Sequence, residues 1–178
     1  MQKPEIISEE VLLQSKYFKV TKKTFKRGGR TFSKEFVERT AVVYVVPFTK
    51  DGKIILEKQY RDAFNDVLTE VVAGHIEEDG DPLETAKREL QEEVGFTASK
   101  WHTIGTYEIA ANMRQTIHVF AATDLTKGEA SPDIDEQIES VSYSITEVKE
   151  MIASGQIIIA SHIAALQLCI EKFEQKAL

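Results

Sequence analysis

The sequence predicts an α/β sandwich in which a mixed sheet lies between helices, with an N-terminal β-hairpin as an extension. Apolar and polar residues alternate on both sides of Gly28-Gly29, which indicates a hairpin over residues 17–37. A continuous apolar run at residues 41–48 is typical of a central strand. Residues 82–94 then show helical spacing between clear start and stop signals.

The remaining elements follow from turn residues and apolar patterns along the chain. Asp51-Gly52 predicts a turn after the central strand. Further strands are predicted at residues 53–60, 67–73, 101–110, 116–122 and 141–144. Two helices are predicted at residues 146–154 and 161–176, with Thr146 and Ser161 as N-caps and Gly155 as a stop.

Length and composition indicate how many domains the chain forms and which kinds of partner it has. The chain has 178 residues, 42% of them apolar, which is enough for one domain with a small appendage. A net charge of −7 argues against nucleic acid as the main partner. The single Cys169 excludes an internal disulfide and fits a reducing cytoplasm. We find no secretory segment and no membrane-spanning segment, and we therefore expect a cytoplasmic protein.

The acidic helix at residues 82–94 carries the main functional signal. Asp81 is the expected N-cap, with Pro82 at the first helical position and Gly95 as the stop. A buried stripe is formed by Leu83, Ala86, Leu90 and Val94. Beside that stripe lie three acids related by helical spacing, Glu89, Glu92 and Glu93.

Carboxylates crowded at a partly buried edge repel one another unless a positive charge lies among them. Oxygen-only ligands favour a hard divalent cation, Mg²⁺ or Mn²⁺. The alternative is a solvated acidic face with Lys87 and Arg88 as local partners. The four histidines have no zinc-like spacing and are interpreted as structural or surface residues: His75, His102, His118 and His162.

The spacing from Gly74 to Phe96 resembles the signature of Nudix hydrolases. Gly74 is followed by thirteen residues and then by Arg88-Glu89-Leu90-Gln91-Glu92-Glu93-Val94-Gly95-Phe96. The sequence departs from the signature at Gly80, where the family has a glutamate that helps position the motif arginine. Asp79 or Asp81 is a possible substitute. The resemblance also implies the fold, a mixed sheet between helices.

The resemblance implies roles for particular residues. Glu89 and Glu93 are the expected main metal ligands, with Glu92 and the backbone carbonyl of Ala73 as further ligands. Glu92 and Arg88 are also expected in the catalytic set, and Gly74 allows a sharp turn. The chemistry implied is hydrolysis of a diphosphate linked to another group, with cations stabilising charge on phosphoryl oxygens.

Segments outside the motif are similar to the ADP-ribose pyrophosphatase branch of that family. By this similarity Arg61 contacts phosphate or nucleotide, and Glu70 contacts ligand or orders Arg61. Arg39 and Arg114 are further candidates for substrate binding, and Glu136 in the acidic loop is the candidate general base, with Asp133 and Asp135 as alternatives. Phe25, Phe36 and Tyr107 are candidate faces for adenine stacking.

The resemblance leads to an expected function with alternatives. The leading hypothesis is magnesium-dependent hydrolysis of ADP-ribose, or a related nucleoside diphosphate derivative, to AMP and ribose 5-phosphate. The alternatives are a nucleotide-sugar or nucleoside triphosphate pyrophosphatase, or a Nudix-like module that binds a nucleotide sugar without cleaving it. We divide the chain into a hairpin arm, residues 1–40, and a Nudix domain, residues 41–178. The arm is either a solvated ribbon or, as in the similar branch, the part that joins a homodimer.

Overall fold

A computed structural model describes residues 1–132 and 137–176 of the chain. It consists of two compact units. The N-terminal unit comprises residues 1–41 with residues 108–116, and the main unit comprises residues 42–107 with the chain from residue 117 onward. Among the described residues, no helix combines the length and the apolar character needed to cross a bilayer.

The N-terminal unit contains an antiparallel sheet in the order β1-β2-β3, extended by a short parallel strand, β9. Its strands are β1 (Glu5–Gln14), β2 (Phe18–Arg27), β3 (Arg30–Arg39) and β9 (Met113–Arg114). The predicted hairpin is confirmed as β2 and β3. The sequence did not predict β1, because bulges near Ile7 and Leu12 interrupt its alternation.

The main unit holds two further sheets within its described residues. The first, in the order β7-β4-β10-β8, is formed by β4 (Val42–Pro47), β7 (Val72–His75), β8 (Phe96–Glu108) and β10 (Thr116–Lys127). The second, in the order β11-β5-β6, is formed by β5 (Lys53–Arg61), β6 (Asp66–Glu70) and β11 (Ile138–Ser144). The single strand predicted at residues 67–73 was wrong, because the chain leaves one sheet for the other at the buried Val71.

The helices of the main unit are α1 (Pro82–Val94), α2 (Ile145–Ala153) and α3 (Ala160–Glu174). Alternate residues of β4 face different helices, as the pleat of a strand requires. Val43 and Val45 join the apolar cluster that includes Leu90 of α1. On the other face, the Tyr44 ring lies against His162 of α3, with ring centroids 4.6 Å apart. This arrangement confirms the predicted α/β class.

Two predicted helix caps were wrong. Ser144 caps α2 in place of Thr146, and its backbone and hydroxyl form a capping box with Glu147. The residue preceding α3 is Ile159, which makes no side-chain cap. The Ser161 hydroxyl instead forms a 3.0 Å hydrogen bond with the Tyr44 hydroxyl, so a tertiary contact occupies the group expected to cap.

Candidate active site

Helix α1 directs two of its acids into the main unit and one toward its surface. The helix begins and ends as predicted: the Asp81 carboxylate accepts from the Glu84 backbone N–H, and Gly95 adopts φ 71°. Glu89 and Glu93 are only 9% and 5% exposed. Glu92 is partly exposed. The three acids therefore occupy different environments, and only two of them are buried.

Gly74 at the end of β7 allows the Glu89 side chain to approach the backbone. A Cβ atom at position 74 would overlap the carboxylate and the Cγ atom of Glu89. Glycine is thus required here for space, and its φ is not in the left-handed region. The close approach fixes the Glu89 carboxylate beside the strand that precedes the helix.

Glu93 lies in a crowded acidic environment. Its Oε2 accepts a 3.1 Å hydrogen bond from the backbone N–H of Ala73. Glu57 on β5 is fully buried, and its charge acts on Glu93. Burial first, then the charges of Glu57 and Glu89, raise the pKa of Glu93 to about 11, although the Ala73 N–H opposes the shift. Glu93 therefore holds a proton at neutral pH when no cation is bound.

Arg88 pairs with two further acids of the helix, Glu89 and Glu92. Its guanidinium lies 2.6 Å from Glu89 Oε1 and 2.5 Å from Glu92 Oε2. Partial burial opposes the charge on Arg88, but Glu89 and Glu92 together raise the pKa of Arg88 above its ordinary value. A cation bound by Glu89 would compete with Arg88 for the same carboxylate.

Arg61 and Glu70 form a two-pronged ion pair across β5 and β6. Arg61 Nε donates to Glu70 Oε1 at 2.7 Å, and Arg61 Nη2 donates to Glu70 Oε2 at 2.9 Å. Burial alone would lower the pKa of Arg61, but Glu70, then Glu57 and Glu93, raise it. Arg61 therefore lies within electrostatic reach of Glu57 on β5 and of Glu93 on α1. The Glu70 side chain is 2% exposed and that of Arg61 36%, so the arginine reaches toward solvent.

Two of the other predicted residues belong to the N-terminal unit. Arg39 is an exposed residue of β3, and Arg114 lies on β9, both in the N-terminal unit. Arg114 lines a cleft of about 420 Å³ within that unit, together with Lys23 and Phe36. Glu136, Asp133 and Asp135 fall outside the described residues. Their roles stay predictions.

The donor atoms fit a hard cation, although they are not gathered around one point. Within residues 1–132 and 137–176, no three side chains of His, Cys, Asp or Glu are grouped closely enough to hold a metal ion. Glu89 and Glu93 nevertheless supply buried carboxylates, and the backbone of Ala73 lies beside Glu93. Oxygen donors of this kind suit Mg²⁺ or Mn²⁺, and the crowding that protonates Glu93 is relieved by a divalent charge.

Sequence reasoning missed one acid in this site and assigned no function to one histidine. Glu57 interrupts the apolar run Ile54–Leu56 of β5 with an ionisable residue, which is the available sequence signal. The distance from His162 Nδ1 to Glu70 Oε2 is 3.7 Å. No local sequence pattern predicts this contact.

Comparisons with known proteins identify the family of the chain. Residues 38–162 match the NUDIX domain. An ADP-ribose pyrophosphatase of Bacillus subtilis (strain 168) is 30% identical over 143 residues, covering 79% of this chain and 77% of the relative. A methanol dehydrogenase activator of Bacillus methanolicus is 29% identical over 143 residues, covering 79% of this chain and 77% of that relative.

A solved structure, described as an ADP compounds hydrolase, shares the fold. It has a TM-score of 0.87 and covers 99% of this chain and 97% of its own, at 23% identity. The chain belongs to the Nudix family and is a pyrophosphohydrolase of that family. It is of the ADP-ribose pyrophosphatase type, and hydrolases of this family generally need a divalent metal ion.

Proposed function

We propose that the protein hydrolyses the pyrophosphate bond of a nucleoside diphosphate derivative, with ADP-ribose as the first candidate and AMP and ribose 5-phosphate as products. The observation that carries the proposal is the pair of buried carboxylates on α1, Glu89 and Glu93, of which Glu93 lies within electrostatic reach of the Arg61 fork. The Bacillus subtilis relative named as an ADP-ribose pyrophosphatase supports the choice of substrate.

Several side chains of the protein are proposed to bind the substrate. Arg61 presents guanidinium N–H groups that suit phosphate oxygens, and Glu70 holds that guanidinium in place. Arg39 and Arg114 are proposed as further contacts to the substrate.

Glu89, Glu92, Glu93 and the carbonyl of Ala73 are the proposed ligands of Mg²⁺ or Mn²⁺. When bound, such an ion neutralises charge on the phosphoryl oxygens and lowers the pKa of the attacking water. Arg88 would give up Glu89 to the ion and hold Glu92 beside it. Glu136 is proposed as the group that takes the proton from the water.

Turnover with a matched variant tests the proposal. Purified protein with Mg²⁺ should convert ADP-ribose to AMP and ribose 5-phosphate, read by chromatography. Glu93→Gln should lower kcat by at least about a hundredfold, because a neutral amide is a poor ligand for a hard cation. Glu84→Gln is the control, since Glu84 is an exposed residue of the same helix that pairs with Lys87. Equal rates for Glu93→Gln and the wild type would contradict the mechanism.

A panel of substrates then defines the specificity. ADP-ribose, nucleotide sugars and nucleoside triphosphates are compared by kcat/KM under the same conditions. The highest value for a triphosphate would replace the proposed substrate class with a nucleoside triphosphate pyrophosphatase. Glu136→Gln in the same assay should lower kcat more than KM, because a general base acts in the chemical step.

Two features favour a second candidate, a module that binds a nucleotide sugar without cleaving it. Gly80 replaces the motif glutamate, and a Cβ there would lie 3.1 Å from the Glu77 carbonyl oxygen, so the turn is built for a small residue. Asp81 cannot take the place of the motif glutamate, because its carboxylate already caps α1. Binding of ADP-ribose by calorimetry, with no AMP formed over a day, would select this candidate.

We also propose that the protein is a homodimer joined through its N-terminal unit. In support, every residue of the edge strand β1 is exposed, including Ile6, Val11 and Leu13. An apolar edge of this kind is a ready surface for a second chain. Sedimentation should give twice the chain mass for the wild type and a monomer for Val11→Lys/Leu13→Lys, and an unchanged mass for the variant would contradict this interface.

A further inference from the structure

His162 is a buried polar residue that the proposed chemistry does not use. It lies in the first turn of α3 and is 4% exposed. The edge of its ring meets the Tyr44 ring at an interplanar angle of 77°, and the Tyr44 hydroxyl hydrogen-bonds to the neighbouring Ser161. These contacts from β4 and α3 fix the plane of the imidazole.

The Nδ1 side of the His162 ring faces Glu70. The distance from His162 Nδ1 to Glu70 Oε2 is 3.7 Å, and the same oxygen accepts a 2.9 Å hydrogen bond from Arg61 Nη2. Oε2 of the buried Glu70 carboxylate therefore lies close to both the His162 ring and the Arg61 guanidinium. Any rotation of that carboxylate would move Arg61 with it, since both prongs of Arg61 bind Glu70.

The imidazole is neutral in this environment. Burial lowers the pKa of His162 to about 4, with Arg61 adding to the effect and Glu70 opposing it. A neutral ring does not compete with Arg61 for the negative charge of Glu70. It supplies instead a ring and a polar nitrogen that pack beside the Glu70 carboxylate.

We propose that His162 is a positioning residue for substrate binding: it fixes the Glu70 carboxylate, and through it the Arg61 fork that receives the substrate phosphate. This inference rests on the proposed function, because it takes Arg61 as a phosphate ligand. It assigns His162 no contact with the substrate. Its effect should appear in binding and should depend on Arg61.

Three substitutions at position 162 separate the nitrogen from the bulk of the ring. His162→Phe keeps an aromatic ring against Tyr44 and removes both nitrogens. His162→Asn retains a polar atom near the place of Nδ1, and His162→Gln places one near Nε2 instead. His118→Phe is the control, since His118 Nδ1 contacts the Thr106 hydroxyl on β8 and not Glu70. Thermal unfolding of each protein establishes that the variants are folded.

We expect His162→Phe to raise KM for ADP-ribose about tenfold and to leave kcat within about twofold, since one orienting polar contact is lost. His162→Asn should restore KM to near the wild-type value, and His162→Gln should not. In an Arg61→Ala background, His162→Phe should add no further increase, because the residue acts through Arg61. Should His162→Phe fail to fold, the comparison of Asn with Gln carries the test.

Several results would overturn the inference. One is a fall in kcat with unchanged KM, another is equal behaviour of the Asn and Gln variants, and a third is an effect of His162→Phe that persists without Arg61. Calorimetric binding of AMP to wild type and variants gives a second readout. If the wild type binds AMP but turns over no substrate, the proposed function fails while the AMP affinities of the variants still decide the role of His162.

Discussion

The crowded acids of the active site should destabilise the fold when no cation is present. In the folded chain the pKa of Glu93 is raised to about 11 from an ordinary 4.5, chiefly by burial and by Glu57. The folded state therefore binds one more proton than the unfolded state between these values. The stability contribution is complete below the unfolded-state pKa and is lost as pH rises toward the folded-state pKa.

The size of the stability change follows from the folded-state and ordinary pKa values of Glu93. Each pH unit inside the window costs about 1.4 kcal/mol, so the free energy of unfolding falls by about 3 kcal/mol between the ordinary pKa of Glu93 and about pH 7. Glu93→Gln removes the titration. We therefore expect this variant to be more stable than the wild type by up to about 3 kcal/mol near neutral pH, with the gap closing below about pH 4.5.

Urea unfolding in the presence of a chelator, followed by circular dichroism across pH, measures this difference. Glu57→Gln should shift stability in the same direction, since the charge of Glu57 contributes to the raised pKa of Glu93. Glu92→Gln is the control, because Glu92 is partly exposed and should change stability by at most about 0.5 kcal/mol. A Glu93→Gln protein that is less stable than the wild type at neutral pH, or a gap that does not depend on pH, would refute the reasoning.

Three further predictions concern named contacts. Gly74→Ala should lower kcat/KM by at least about tenfold, because its Cβ displaces the Glu89 carboxylate, whereas Gly128→Ala, with its nearest atom 3.7 Å away, should match the wild type in the same assay. Cys169, whose pKa burial raises to about 12, should react with a thiol reagent only after urea unfolding, and a fast reaction of the native protein would contradict its burial. Ser144→Ala should lower the free energy of unfolding by about 1 kcal/mol through loss of the α2 cap, and unchanged urea midpoints would contradict the cap.

Local signals in the sequence predicted the parts of the structure that depend on local chemistry. Helix α1 begins and ends as expected, because Asp81 and Gly95 act on backbone groups within one turn of themselves. The β2–β3 hairpin was found for the same reason, since Gly28 and Gly29 both adopt positive φ at its turn. Such features need no knowledge of the rest of the fold.

Features set by distant partners could not be predicted in the same way. Ser161 was expected to cap α3, but its hydroxyl bonds Tyr44, which lies far away in the sequence. Glu57 and His162 acquire their properties from Glu93 and Glu70, which reach them only through the fold. The tertiary partner decides the chemistry of each of these residues.

The three acids of the motif also acquire different environments from the fold. The signature groups Glu89, Glu92 and Glu93 as one set. In the structure these acids differ in how deeply they are buried and in the residues with which they pair. Arg88 pairs with both Glu89 and Glu92, and a proton neutralises Glu93. The cation that we propose would replace Arg88 at Glu89 and the proton at Glu93.

Diffraction from crystals grown with Mn²⁺ and AMP tests this claim most directly. We predict an anomalous peak within coordination distance of the Glu89 and Glu93 carboxylates, with the AMP phosphate between that peak and Arg61. An anomalous map without a peak there, in a protein whose Glu89 still binds Arg88 and whose Glu93 still accepts from the Ala73 N–H, would contradict the account.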